Sequence, residues 1–158
     1  MTTKVNILGI EVDQFISDSD HELLKVQPHN LDKEWAQQPG TAAYFGHLHG
    51  RAVAQVGRLK TRRDLVEATI AQELRDKAVT DGEKITETKI DSMVRKDKRF
   101  VAVSMAYSEA QGIEKSLEAL NLASRARKDA LRHFSDKQQY EMHRSAGSYK
   151  ARSGAEQD

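Results

Sequence analysis

The 158-residue chain is 38% hydrophobic and 31% charged, and its apolar share is below that of an ordinary globular domain. Leu, Ile, Val and Phe make up only about a fifth of the residues, close to the compositional edge of disorder. This argues against a compact single-core ball and for long amphipathic helices that bury a narrow stripe, with oligomerisation supplying further burial. The absence of cysteine excludes disulfides, thiolate metal sites and a cysteine nucleophile. No apolar run reaches the ~18–20 residues of a membrane span, and the N-terminus lacks the basic-then-apolar layout of a signal peptide. A soluble, intracellular protein is therefore expected. The net charge of +1 conceals an asymmetry: residues 1–40 are net acidic, and the rest of the chain is net basic. An acidic head on a basic helical body admits a polyanionic partner.

In chain order, residues 4–13 (KVNILGIEVD) alternate partially with β-branched residues and read as a short strand or extended arm. Asp20–Val26 suits a short helix. Asn30 is placed to cap another through Trp35, and Pro39-Gly40 then punctuates the chain. From Thr41, read as an N-cap, the pattern turns helical to about Ala78. Phe45, Leu48, Ala52, Val56, Leu59, Val66 and Ile70 recur at steps of three, four and seven, with Arg63 as a charge on the apolar seam. Thr80-Asp81-Gly82-Glu83 breaks this helix. A second begins near Thr88 and runs through Ile90, Met93, Val94, Val101, Met105, Ile113, Leu117, Leu120, Ala123, Leu131 and Phe134, with Arg127 interrupting its seam and Gly112 as a point of bending. Beyond His143 the pattern lacks apolar periodicity, and a disordered tail over 144–158 is expected.

No phosphate-binding glycine loop is present, so nucleotide hydrolysis by the usual routes is not indicated. His47 and His49 point about 200° apart on a helix and do not grip one ion together. The carboxylates are scattered over polar helical faces, without the convergence that acid–base catalysis needs. The basic clusters carry more information. Arg58, Lys60, Arg62 and Arg63 lie on the first long helix. Arg95, Lys96, Lys98 and Arg99 lie on the second, and Arg125, Arg127, Lys128 and Arg132 lie near its end. Each alone reads as a solvated face with ion pairs. Three together read as a phosphate-binding surface that displaces condensed counterions. Aromatics that stack bases are sparse: Phe100 and Tyr107 follow one cluster and Phe134 another, and core packing accounts for them equally well.

Read as a whole, residues 84–140 resemble the C-terminal half of the UvsY-type recombination mediators of T-even-like bacteriophages. The resemblance rests on a Lys/Thr-rich helix start and on Met93-Val94-Arg95-Lys96-Asp97 leading to Ser104 and Tyr107. A small-residue-rich helix with Leu120, Ala123, Ser124, Arg125, Ala130 and His133 follows. With the long basic helix upstream, which ends in Arg75, and the polar loop containing Gly82, the resemblance covers about residues 41–140. It implies an all-α fold that assembles into rings, binds single-stranded DNA and helps load a phage recombinase onto strands coated with single-stranded-DNA-binding protein. The family's DNA-contacting residues fall late in the first long helix. Arg75 matches one by position, whereas the other falls near Glu73, which has the wrong charge, so the 58–63 cluster is expected to take over.

The expected architecture is all-α: long amphipathic helices in a hairpin or bundle that oligomerises, with a strand-like N-terminal arm. It divides into an acidic arm or small subdomain (1–40), a helical oligomerisation and nucleic-acid-binding domain (41–143) and a disordered tail (144–158). The expected function is that of a non-enzymatic mediator without metal or cofactor, acting in the host-cell cytoplasm. Its DNA contacts are expected at Arg58, Lys60, Arg62, Arg63, Arg75, Arg125, Arg127, Lys128 and Arg132. The alternative is a helical scaffold or phage assembly chaperone in which the clusters merely solvate the helices.

Overall fold

The computed structural model describes residues 3–154, with side chains for all of these except Asp18 and 146–154. Two strands, β1 (Thr3–Ile7) and β2 (Ile10–Gln14), precede two 3-10 turns (Asp18–Leu24 and Pro28–Asn30). Three helices follow: α1 (Leu31–Asp81), α2 (Glu87–Lys96) and α3 (Lys98–Gly154). The fold is all-α apart from the N-terminal hairpin. Contacts divide the chain into two units, Met1–Ser17 with Gly46–Ala119, and Asp18–Phe45 with Leu120–Asp158. Both long helices contribute a stretch to each.

In the first unit, β1 and β2 pair antiparallel with Val5 opposite Val12. The connection is two residues, Leu8 (φ 48) and Gly9 (φ 87), the positive-φ pattern of a type I′ turn, whose twist matches the strands. The Asn6 side chain accepts the Gly9 N–H at 2.8 Å. Ile10, Val12 and Phe15 are buried, and the hairpin docks on α1 through an amide handshake. Gln55 accepts the Asp13 N–H at 3.0 Å and donates to the Asp13 carbonyl at 3.2 Å. This explains a buried glutamine between Ala52 and Leu59 on the apolar stripe, where Val56 was expected to point inward. On α3, Val103, Ala106, Ala110, Ile113 and Leu117 bury at helical spacing. Ile70 of α1 packs with Ile90 and Val94 of α2, flanked by Val66, Leu74, Ile85 and Phe100.

The helix boundaries follow from capping chemistry. α1 ends as expected at Gly82, which sits at φ +67. The Gly82 N–H donates to the Val79 carbonyl and the Glu83 N–H to the Ala78 carbonyl, the paired bonds of a Schellman ending. Thr86 caps α2 by accepting the Lys89 N–H. The second helix was expected to run unbroken from Thr88, but the chain breaks at Asp97, which is extended (ψ 130). The Asp97 carboxylate accepts the Arg99 N–H at 2.7 Å while its carbonyl accepts the Val101 N–H. Asp97 thereby caps α3, a role that its short acidic side chain favours over a helix interior.

In the second unit, two further expectations are corrected. α1 starts at Leu31, not Thr41, and runs through Pro39-Gly40. Proline removes one hydrogen bond of the helical ladder, a cost of roughly 3 kcal/mol in an isolated helix. Three side chains on the preceding turns hold the helix against it. Glu34 is ion-paired to Arg127 of α3, the Trp35 indole donates to Ser135 Oγ at 2.9 Å, and the Gln38 amide donates to the Ser124 carbonyl at 2.7 Å. Phe45, Leu120 and Leu131 complete the buried apolar set around them, and buried Asp20 accepts the Tyr44 hydroxyl at 3.0 Å. The expected tail is the other correction, since α3 is helical to Gly154. No proline follows residue 39, and Ala, Lys and Arg in 144–152 sustain helix without apolar periodicity. Residues 155–158 of that expected tail lie outside the described residues.

Candidate nucleic-acid interface

Helical geometry splits the cluster at 58–63. Arg58 and Arg62 are four residues apart and share a face, whereas Lys60 projects about 200° away from Arg58. All three are exposed and make no hydrogen bond or ion pair among the described residues. Arg63 behaves differently. Its guanidinium lies 4.9 Å over the Tyr107 ring, and Nη2 is 3.0 Å from Asp64, with about 30% of the side chain exposed. The charge on the seam is thus neither a deeply buried ion pair nor an open gap, because an aromatic face covers it. Seven residues before Arg58, Arg51 falls on the same face as Arg58 and Arg62. It is exposed, with its guanidinium 4.8 Å over Phe15. No acidic residue occurs between Trp35 and Arg63, so the positive field of this row is not cancelled along its own helix. Sequence reasoning missed Arg51, although its heptad spacing to Arg58 and the lack of neighbouring carboxylates were both readable.

Near the α2–α3 junction the basic side chains divide again. Arg95, Lys96 and Lys98 are exposed. Arg99 is gripped by Glu73 at 2.6 Å and Asp97 at 3.1 Å. The hydrogen bond that Arg99 donates to Glu73, then that to Asp97, raises the guanidinium pKa, and Arg99 lowers those of both carboxylates. Arg75 is held by Glu87 at 2.7 Å, which raises the pKa of Arg75 and lowers that of Glu87. Arg75, the position the resemblance favours, is therefore ion-paired at the surface, with 43% of its side chain exposed. Glu73, which departs from the family's charge, is a partner for Arg99.

The cluster at 125–132 loses one member to the interior. Arg127 is 5% exposed and bonds to Gln38 and Glu34, so it is withdrawn from the expected phosphate contacts. Sequence showed that it interrupted the seam. Its acceptors lie 89 and 93 residues upstream, out of reach of any local pattern. Arg125, Lys128 and Arg132 remain exposed and unpaired among the described residues. Their spacing of three and four aligns them along one face of α3, which Asp129 and Asp136 share at four residues from Arg125 and Arg132.

The aromatics flagged for stacking are engaged elsewhere. Phe100 flanks the Ile70–Ile90–Val94 core, Tyr107 lies under Arg63, and Phe134 is half-buried with its ring 6.4 Å from His133. His47 is exposed, while His49 is half-buried and 3.3 Å from Glu114. Among the described residues there is no group of three or more His, Asp or Glu placed to hold a metal ion, and no helix long and apolar enough to cross a membrane. Compared with protein-family models, curated proteins and solved structures, the chain matches none.

Proposed function

We propose that the protein binds single-stranded DNA without catalysis and serves as a phage recombination mediator, presenting the strand to a recombinase. The observation that carries this reading is the pairing pattern of the cations. Of the nine expected contacts, six (Arg58, Lys60, Arg62, Arg125, Lys128 and Arg132) are exposed and unpaired among the described residues. Five of these lie in the two aligned rows. An ordinary solvated helix face neutralises its lysines and arginines with carboxylates one turn away. The row of Arg51, Arg58 and Arg62 has none on its stretch of α1, whereas Arg125 and Arg132 have Asp129 and Asp136 four residues on, without an ion pair to either. Counterion release from the DNA then supplies the binding free energy with little sequence preference. A second copy of the chain multiplies such contacts through effective concentration. An open apolar cleft of about 490 Å³ at the start of α3, with exposed Val101 and Met105 in its lining, supports assembly of copies.

The scaffold reading draws on the opposite subset, since Arg63, Arg75 and Arg127 are all satisfied internally. One titration separates the two. Single-stranded DNA affinity is measured by anisotropy at several salt concentrations for the native chain, for Arg58→Ala with Arg62→Ala, and for Arg125→Ala with Lys128→Ala and Arg132→Ala. Each lost phosphate contact should reduce the salt slope by about 0.7, so the two variants should lose about 1.4 and 2. Arg75→Ala should leave the slope unchanged. A native chain that shows no salt-dependent binding is a scaffold.

A further inference from the structure

We infer that the cleft in the second unit between the start of α1 and late α3 receives a single unstacked nucleobase of the bound strand, with Trp35 as its stacking platform. This rests on the single-stranded DNA reading above. The cleft encloses about 370 Å³, within the ~300–1,000 Å³ of small-molecule sites. Trp35, half-buried, lines it together with Asn30, Asp32, Ser135, Gln138 and Gln139. The Trp35 indole N–H is already tied to Ser135, which fixes the ring before any ligand arrives and reduces the ordering cost of binding.

The lining chemistry selects a base over a phosphate. It contains three side-chain amides and a carboxylate but no lysine or arginine, so an anion entering the cleft would meet Asp32 without a compensating cation. A neutral heterocycle, in contrast, finds the Trp35 indole in the lining and amide donors and acceptors that match the edge of any base. His29 in the lining adds a further donor or acceptor. The phosphates have their own place next to it. Arg132 lies one turn before Ser135 and two turns before Gln139 on the same side of α3, and Lys128 lies a turn further back. The row thus leads into the cleft along one helix. A strand with its backbone on Lys128 and Arg132 delivers a base to Trp35.

Trp35 is the only tryptophan in the chain, so its intrinsic fluorescence reports on the cleft directly. The full-length protein is titrated with a 15-residue oligodeoxyadenylate and with an abasic oligonucleotide of the same length, while anisotropy of a labelled strand reports overall binding. The base-bearing strand should quench Trp35 and the abasic strand should not, although both bind. Gln138→Ala with Gln139→Ala, on an exposed helix surface, should move the quenching midpoint to about fivefold higher oligodeoxyadenylate concentration and leave abasic binding unchanged. Equal quenching by both strands, or binding without quenching, overturns the base pocket and leaves the DNA-binding reading intact. An unchanged midpoint in the double variant also overturns the pocket. No anisotropy change with either strand overturns both.

Discussion

Replacing Arg127 by Met removes a cation whose side chain is 3% exposed from a glutamate whose side chain is 7% exposed. The Glu34 carboxylate then stays buried without its counter-charge, and Gln38 Oε1 loses its donor. Breaking one side of a buried pair costs about 3–5 kcal/mol, or roughly 10 °C or more in melting temperature for a chain of this size. Glu34→Leu should cost a similar amount for the mirror-image reason. The double variant Glu34→Leu/Arg127→Met should recover most of the loss, because desolvating two charges offsets much of their attraction. Arg127 Nε, buried with no hydrogen-bond partner among the described residues, adds to that offset. Urea denaturation of the native chain, both single variants and the double completes a thermodynamic cycle, with an expected coupling of at least about 2 kcal/mol. Single losses below about 1 kcal/mol that simply add in the double variant would refute the assignment of Arg127 as an internal tie. In the refolded double variant, DNA affinity and salt slope should equal those of the native chain.

Pro39→Ala should stabilise the protein by about 1–3 kcal/mol, since it restores a helical hydrogen bond; a lower denaturation midpoint would contradict the continuous α1. Gly82→Ala should cost about 1–2 kcal/mol because φ +67 is strained for an L side chain, and an unchanged midpoint would show that α1 ends differently. The depressed carboxyl groups of Glu73, Asp97 and Glu87 start from ordinary values of 4.5, 3.8 and 4.5. A lowered folded-state value contributes stability above the unfolded value and loses it as pH falls through the folded one. Amide exchange in α2 should therefore accelerate as the pH is lowered below about 4, relative to exchange in the carboxylate-free middle of α1 around Ala52. Protection that is independent of pH there would show that these exposed pairs contribute nothing, as many surface pairs do.

What the sequence made legible depended on how local its cause was. The long helices and the stop at Gly82 each follow from a few adjacent residues, and each is present, whereas residues 4–13 read as one short strand or extended arm and the Leu8-Gly9 turn that folds them into a hairpin went unread. Asp97 was visible as an acidic residue in a basic run, but helical periodicity on both sides hid its capping role. Pro39-Gly40 reads as a break because local propensity says so, and only ties from Glu34, Trp35 and Gln38 to residues 86–100 positions away reverse it. The basic clusters were visible as compositions. Which members are left without a partner was decided elsewhere in the chain: Tyr107 lies under Arg63, Glu87 pairs with Arg75 at the surface, and Glu34 holds Arg127 in the interior. Trp35 escaped notice as a stacking group because it sits in a segment that reads as a separate acidic arm.

The same long-range ties set an order of events during synthesis. The first turns of α1 leave the ribosome early, yet Glu34, Trp35 and Gln38 acquire their partners only when Arg127, Ser135 and Ser124 have been made. Closing loops of that length is entropically costly and slow, so this segment, with a proline in its middle, waits as a weak helix through most of translation. The hairpin finds its hydrogen-bond partner Gln55 only 42 positions on, and the unit it belongs to is complete at Ala119, before any of those three partners has been made. A nascent chain should accordingly become protected first at its hairpin and last around Trp35, with the proposed base-binding cleft among the final parts to form.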